Sequence, residues 1–141
     1  MTITPIISPD VKSVFQTYSP EGRTAMMSLR ALIFEVASAN SAVGILTETL
    51  KWGVPSYLTE KSKSGSTIRI SWSAAKPKQA ALYFNCKTTL VDRMRDVYPD
   101  SFTFQSNRVA AYSIDARMPR EALMHCIEMA LLYHRNKRKI A

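Results

Sequence analysis

Glycine is scarce in this 141-residue chain, at four residues. A glycine-rich phosphate cradle is nearly excluded on that count, and no GxGxxG, phosphate-loop or GxSxG pattern occurs. The lysines of "KSKSGST" at 61–67 stand in the wrong order for a phosphate loop, so the run reads as a hairpin turn. Two cysteines, Cys86 and Cys126, are too few for a disulfide framework and read as buried free thiols of a reducing cytosol. The two histidines, His125 and His134, stand on one helix about 180° apart and cannot share a metal ion. Carboxylates are in the minority, 11 against 19 lysines and arginines, for a net charge of +8. No apolar run approaches the ~20 residues of a membrane-spanning helix. The opening "MTITPIISPD" lacks a basic segment and an apolar run of secretory length, so a cytoplasmic location without membrane contact is expected.

What is present suits one soluble domain over 1–141, with a core of about 12–136, a short N-terminal arm and a basic tail at Arg135, Lys137, Arg138 and Lys139. "SPD" at 8–10 and "SPE" at 19–21 each start a helix: serine caps, proline suits the first turn, and the carboxylate meets the positive end of the dipole. The second helix runs to about Ala39 on an apolar stripe of Met26, Leu29, Leu32, Ile33 and Val36. Met27 and Phe34, on its other side, are expected to pack on the first helix. From residue 47 the period changes to two, through "TETLKW", "PSYLTE", "TIRISW" and "AALYFNC". Residues 88–98 return to helix, "FTFQ" and "RVAAYSI" form a hairpin, and one last helix runs from "MPREAL" to about Asn136. The expected fold is α+β, an antiparallel sheet packed with helices in the order α-α-β-β-β-β-α-β-β-α.

Strand alternation places Glu48, Leu50 and Trp52 on one face. A carboxylate facing a core or cleft needs a partner, and Arg30, at the edge of the second helix's apolar stripe, is the candidate. Two readings follow. Glu48 and Arg30 form a buried structural ion pair, or Glu48, Trp52, Tyr57 and Tyr83, with Arg30, line a cleft for a small cationic or polar ligand. Asp92 and Asp96 share a helix face and read as solvated or paired with neighbouring arginines. No second catalytic group stands at a readable spacing from Glu48, so the reading leans away from an enzyme and expects no cofactor and no metal. A binding module for a small ligand or protein partner is the first expectation. A basic accessory module contacting nucleic acid or another polyanion is the alternative; Arg69 and Trp72 alternate to opposite faces and do not make one stacking platform.

The runs "LRALIFEV", "ETLKWGVPSY" and "ALYF" together resemble the YdhG-like domains, a widespread bacterial family of unknown function. The resemblance covers about residues 12–136. Its most specific part is an acidic-x-x-x-Trp-Gly-x-Pro-x-aromatic run, matched by Glu48, Trp52, Gly53, Pro55 and Tyr57. It implies the same order of elements. Some members have been described as frataxin-like iron chaperones that bind iron through carboxylates. That role would come by family analogy only, and this basic chain has no acidic ridge and no cluster of hard oxygen ligands.

Overall fold

The computed structural model describes residues 4–140, with side chains through residue 137. The first three residues of the expected arm, and the side chains of Arg138 and Lys139 in the expected tail, lie outside it. Helices α1 (Pro9–Thr17) and α2 (Pro20–Ala39) start where the two serine caps predict. The Ser8 hydroxyl accepts from the Val11 N–H at 3.4 Å and the Ser19 hydroxyl from the Gly22 N–H at 3.1 Å. Strands β1 (Thr47–Lys51), β2 (Val54–Leu58), β3 (Ile68–Ser71) and β4 (Gln79–Tyr83) follow, then α3 (Leu90–Val97), β5 (Thr103–Gln105) and β6 (Val109–Ser113). The chain closes with α4 (Arg120–Leu131) and α5 (Tyr133–Ile140). Every strand pairing is antiparallel and the sheet order is β1-β2-β3-β4-β6-β5. Among the described residues no helix is long and apolar enough to cross a membrane.

Register assigns each strand residue to a face. Glu48 pairs with Tyr57, Tyr57 with Ile68, Ile70 with Leu82 and Leu82 with Ala110. These positions share the face that carries the core, where Tyr57, Ile68, Ile70, Leu82 and Ala110 are buried with Met26, Leu29, Ile33, Leu123 and Ile127 of α2 and α4. The other face contributes nothing to that core: Leu58, Val54, Ala81, Tyr83, Val109 and Ala111 all lie outside it. The helices therefore cover one side of the sheet. Phe34 has a partner beyond the helices. Its ring meets Tyr57 edge to face at 5.7 Å, on the sheet.

The single final helix is corrected, because it breaks between Leu131 and Tyr133. The cause lies 67 residues earlier in the chain. The loop after β2 folds onto the end of α4, where the Ser64 hydroxyl donates to the Leu131 carbonyl at 2.7 Å and the Ser66 N–H to the Ala130 carbonyl at 2.9 Å. The Arg135 N–H returns a bond to the Ser64 carbonyl at 2.9 Å. These bonds occupy carbonyls that an unbroken helix would use itself. Ser64 and Ser66 are both buried, so "KSKSGS" is an inserted clamp rather than a polar surface turn. Gly65 is the only residue type that fits there, since a β-carbon would stand 2.3 Å from the Leu131 backbone. Gly65→Ala must displace the loop and lose its buried bonds, so a destabilisation on the order of 3 kcal/mol is expected in urea unfolding. An unchanged midpoint would show that the clamp yields freely.

Candidate functional site

The structure brings three of the five expected site residues together. Arg30 on α2 is 1% exposed and reaches Glu48 on β1 in a two-pronged pair, Nε to Oε2 at 2.5 Å and Nη2 to Oε1 at 2.9 Å. Tyr57 on β2, opposite Glu48 in the ladder, donates its hydroxyl to Oε2 at 2.8 Å. The remaining guanidinium donors bond the Thr4 carbonyl and, at 3.2 Å, the Pro5 carbonyl, which ties down the segment before α1. The Phe34 ring covers the guanidinium at 4.6 Å, a cation–π contact in a desolvated place. Burial opposes the charge on Arg30, but the hydrogen bonds and charge of Glu48 outweigh it and the guanidinium titrates above its ordinary range. Burial first, and Glu48 second, push the Tyr57 hydroxyl far upward, so it stays a donor. Both carboxylate oxygens are satisfied by protein groups.

Trp52 and Tyr83 are elsewhere. Lys51 pairs with Val54, so β1 and β2 are joined by a two-residue loop of Trp52 and Gly53 with φ of 55° and 76°. Positive φ at both positions is what the right-handed twist of a tight hairpin requires. Gly53 adopts it freely. For a tryptophan it costs about 1–2 kcal/mol, yet Trp52 is 91% exposed and lies outside the hydrophobic core. The expectation that Trp52 shares a strand face with Glu48 is thus corrected, because the strand ends one residue earlier. Tyr83 pairs with Arg69 and Val109, and Arg69 with Ser56. That row lies on the open face of the sheet, opposite Glu48 and Tyr57.

Around Trp52 the sheet order assembles residues from separate segments. A pocket of about 260 Å³ is lined by Lys51, Trp52, Arg69, Asn85, Cys86 and Arg108, with Thr67 and Phe84 completing it. Three cations converge there and no carboxylate lines it. Among the described residues none of the three forms an ion pair. Arg108 donates to the Cys86 sulfur at 3.6 Å and lowers the thiol's pKa below its ordinary value, whereas burial pushes Cys126 up to about 12. Cys86 is therefore partly exposed and thiolate-prone rather than an inert buried thiol. Arg69, Cys86 and Arg108 line this candidate site and were not among the site residues expected from the sequence. The only hint in the sequence was Arg69 on the polar side of "TIRISW".

A larger groove of about 660 Å³ lies along α3, α4 and α5. Among the described residues its Lys87, Arg93, Glu128 and Lys137 form no ion pair. The Thr89 N–H donates to the Tyr133 hydroxyl at 3.3 Å, His125 Nδ1 meets the Tyr98 hydroxyl at 2.6 Å, and Glu128 places a carboxylate among its cations, which the smaller pocket lacks.

No family model matches the sequence, and no curated protein matches it. Among solved structures, a DUF1801-family protein, YdhG of Bacillus subtilis, is similar with a TM-score of 0.60 at 15% identity, over 86% of this chain and 89% of that one. The fold is YdhG-like. The likeness extends to the architecture, and no activity comes with it. Among the described residues no group of three or more His, Cys, Asp or Glu side chains is placed to hold a metal ion.

In this YdhG-like frame the Arg30–Glu48 pair has a measurable signature. Glu48→Gln or Arg30→Met is each expected to cost about 3–5 kcal/mol in urea unfolding, because each strands a buried partner. Arg30→Met combined with Glu48→Leu is expected to cost far less than the sum. Additive losses would show that the two side chains do not depend on each other.

Proposed function

We propose that the chain is a single, non-enzymatic cytoplasmic binding domain whose ligand is a small organic anion carrying a planar ring, held at the Trp52 hairpin tip. One observation carries the reading: three unpaired cations face a pocket beside a tryptophan that is both exposed and conformationally strained. Strain of this kind persists where the surrounding structure imposes it, and such positions cluster at binding sites. Lys51, Arg69 and Arg108 would hold the anionic group, and the Trp52 indole would stack on the ring. The Arg30–Glu48–Tyr57 network takes the role of positioning: it anchors the two strands that carry the tip. This differs from the cleft for a cationic ligand that the sequence suggested, since Glu48 is already satisfied and the free charges near Trp52 are positive.

Adenosine monophosphate is a suitable probe. Titration is expected to quench the emission of exposed Trp52 and to slow alkylation of Cys86 by iodoacetamide. The double variant Arg69→Gln/Arg108→Gln is expected to weaken both effects at least ~10-fold, since each lost charge-assisted bond is worth about 1.5–3 kcal/mol. Quenching that survives in Trp52→Ala, or binding indifferent to the arginines, would overturn the reading.

A further inference from the structure

We infer that the Trp52 pocket is one end of a binding face for single-stranded nucleic acid, formed by the open side of the sheet; the inference rests on the anion reading of that pocket. The ladder register draws the face. One row crosses all six strands as Thr49, Ser56, Arg69, Tyr83, Val109 and Gln105. A second row runs Ser71, Ala81, Ala111 and Thr103. None of these residues joins the hydrophobic core; the small Ser56, Ala81 and Ala111 are buried among their neighbours, while Thr49, Arg69, Ser71, Tyr83, Thr103, Gln105 and Val109 keep exposed surface.

Charge complementarity selects the occupant. The strand positions on this face include Lys51 and Arg69 and not one aspartate or glutamate, and Arg108 stands at its margin in the pocket. In a chain of net charge +8 this is a surface for a polyanion. Aromatic groups then favour a single strand over a duplex. Tyr83 is half-buried beside Arg69 in the middle of the sheet, and Trp52 projects from the tip of the β1–β2 hairpin. Bases that are already unstacked can lie on both rings, while paired bases cannot reach them. Hydroxyl and amide side chains at Thr49 and Gln105 offer partners for base edges. Six strands at ~4.8 Å spacing span about 24 Å, room for roughly four extended nucleotides, the low end of known single-strand site sizes.

The test uses the full chain with fluorescein-labelled 12-mers of oligo(dT) and oligo(rU), and a 12-base-pair duplex, read by anisotropy. At least one single strand is expected to bind more tightly than adenosine monophosphate and than the duplex, and its preference between DNA and RNA names the natural form. With three cations each contributing about −0.7 to the salt slope, affinity is expected to fall ~20-fold from about 50 to about 200 mM salt. Tyr83→Leu, which keeps the apolar bulk, is expected to weaken binding about tenfold without changing that slope, whereas Tyr83→Phe keeps affinity. Arg69→Gln is expected to flatten the slope by one contact. Duplex binding as tight as single-strand binding, or full affinity in Tyr83→Leu, would overturn the inference. Oligonucleotides no tighter than the monophosphate would sink the extended face and leave the pocket reading intact. Absence of binding by either probe would sink both.

Discussion

A single buried ion pair holds this molecule's working parts in register. Arg30 comes from the middle of the longest helix and Glu48 from the edge strand, and between them they join α2, β1, β2 and the segment before α1. A guanidinium that is almost wholly out of water must have its donors satisfied, and here a carboxylate and two backbone carbonyls do so. Such a pair adds modest net stability over a well-packed apolar substitute. Its contribution is to make other arrangements costly. If β1 slipped by one residue against β2, Glu48 would turn to the open face and Arg30 would be left charged and alone. The two-residue loop of Trp52 and Gly53 is therefore not free to shift.

That constraint explains why the tip tolerates an unfavourable backbone. The ladder from Thr47–Leu58 to Lys51–Val54 leaves only two residues to reverse the chain, and both must take positive φ. An asparagine would do so at lower cost than a tryptophan. The indole stands in solvent beside three cations instead of repaying its strain by packing. The Ser64–Ser66 clamp works in a similar way at the other end of β2. It interrupts the last helix and holds the loop that leads into β3, the strand that carries Arg69.

The parts of the fold governed by local chemistry were legible in the sequence. Both serine caps, the alternation of "TIRISW" and the element order up to the last helix follow from signals within a few residues of their effect. So did the partnership of Arg30 with Glu48, because a carboxylate on the core side of a strand has few ways to be satisfied. Trp52 was misplaced because strand alternation runs on through "LKW", and Trp-Gly is not a usual hairpin pair. Tyr83 was misplaced because "AALYF" is apolar throughout, so only pairing with β3 and β6 decides its face. The helix break and the Arg69–Cys86–Arg108 cluster depend on contacts far apart in sequence, which no periodicity reports.

The central claim is that the buried network positions and the exposed tip binds. Amide shift mapping on the isotope-labelled chain during titration with adenosine monophosphate tests it most directly. The largest changes are expected at Lys51, Trp52, Gly53, Arg69, Cys86 and Arg108, with Arg30, Glu48 and Tyr57 nearly still. Changes centred on Arg30 and Glu48, or along the groove of Leu90 and Met129, would contradict it.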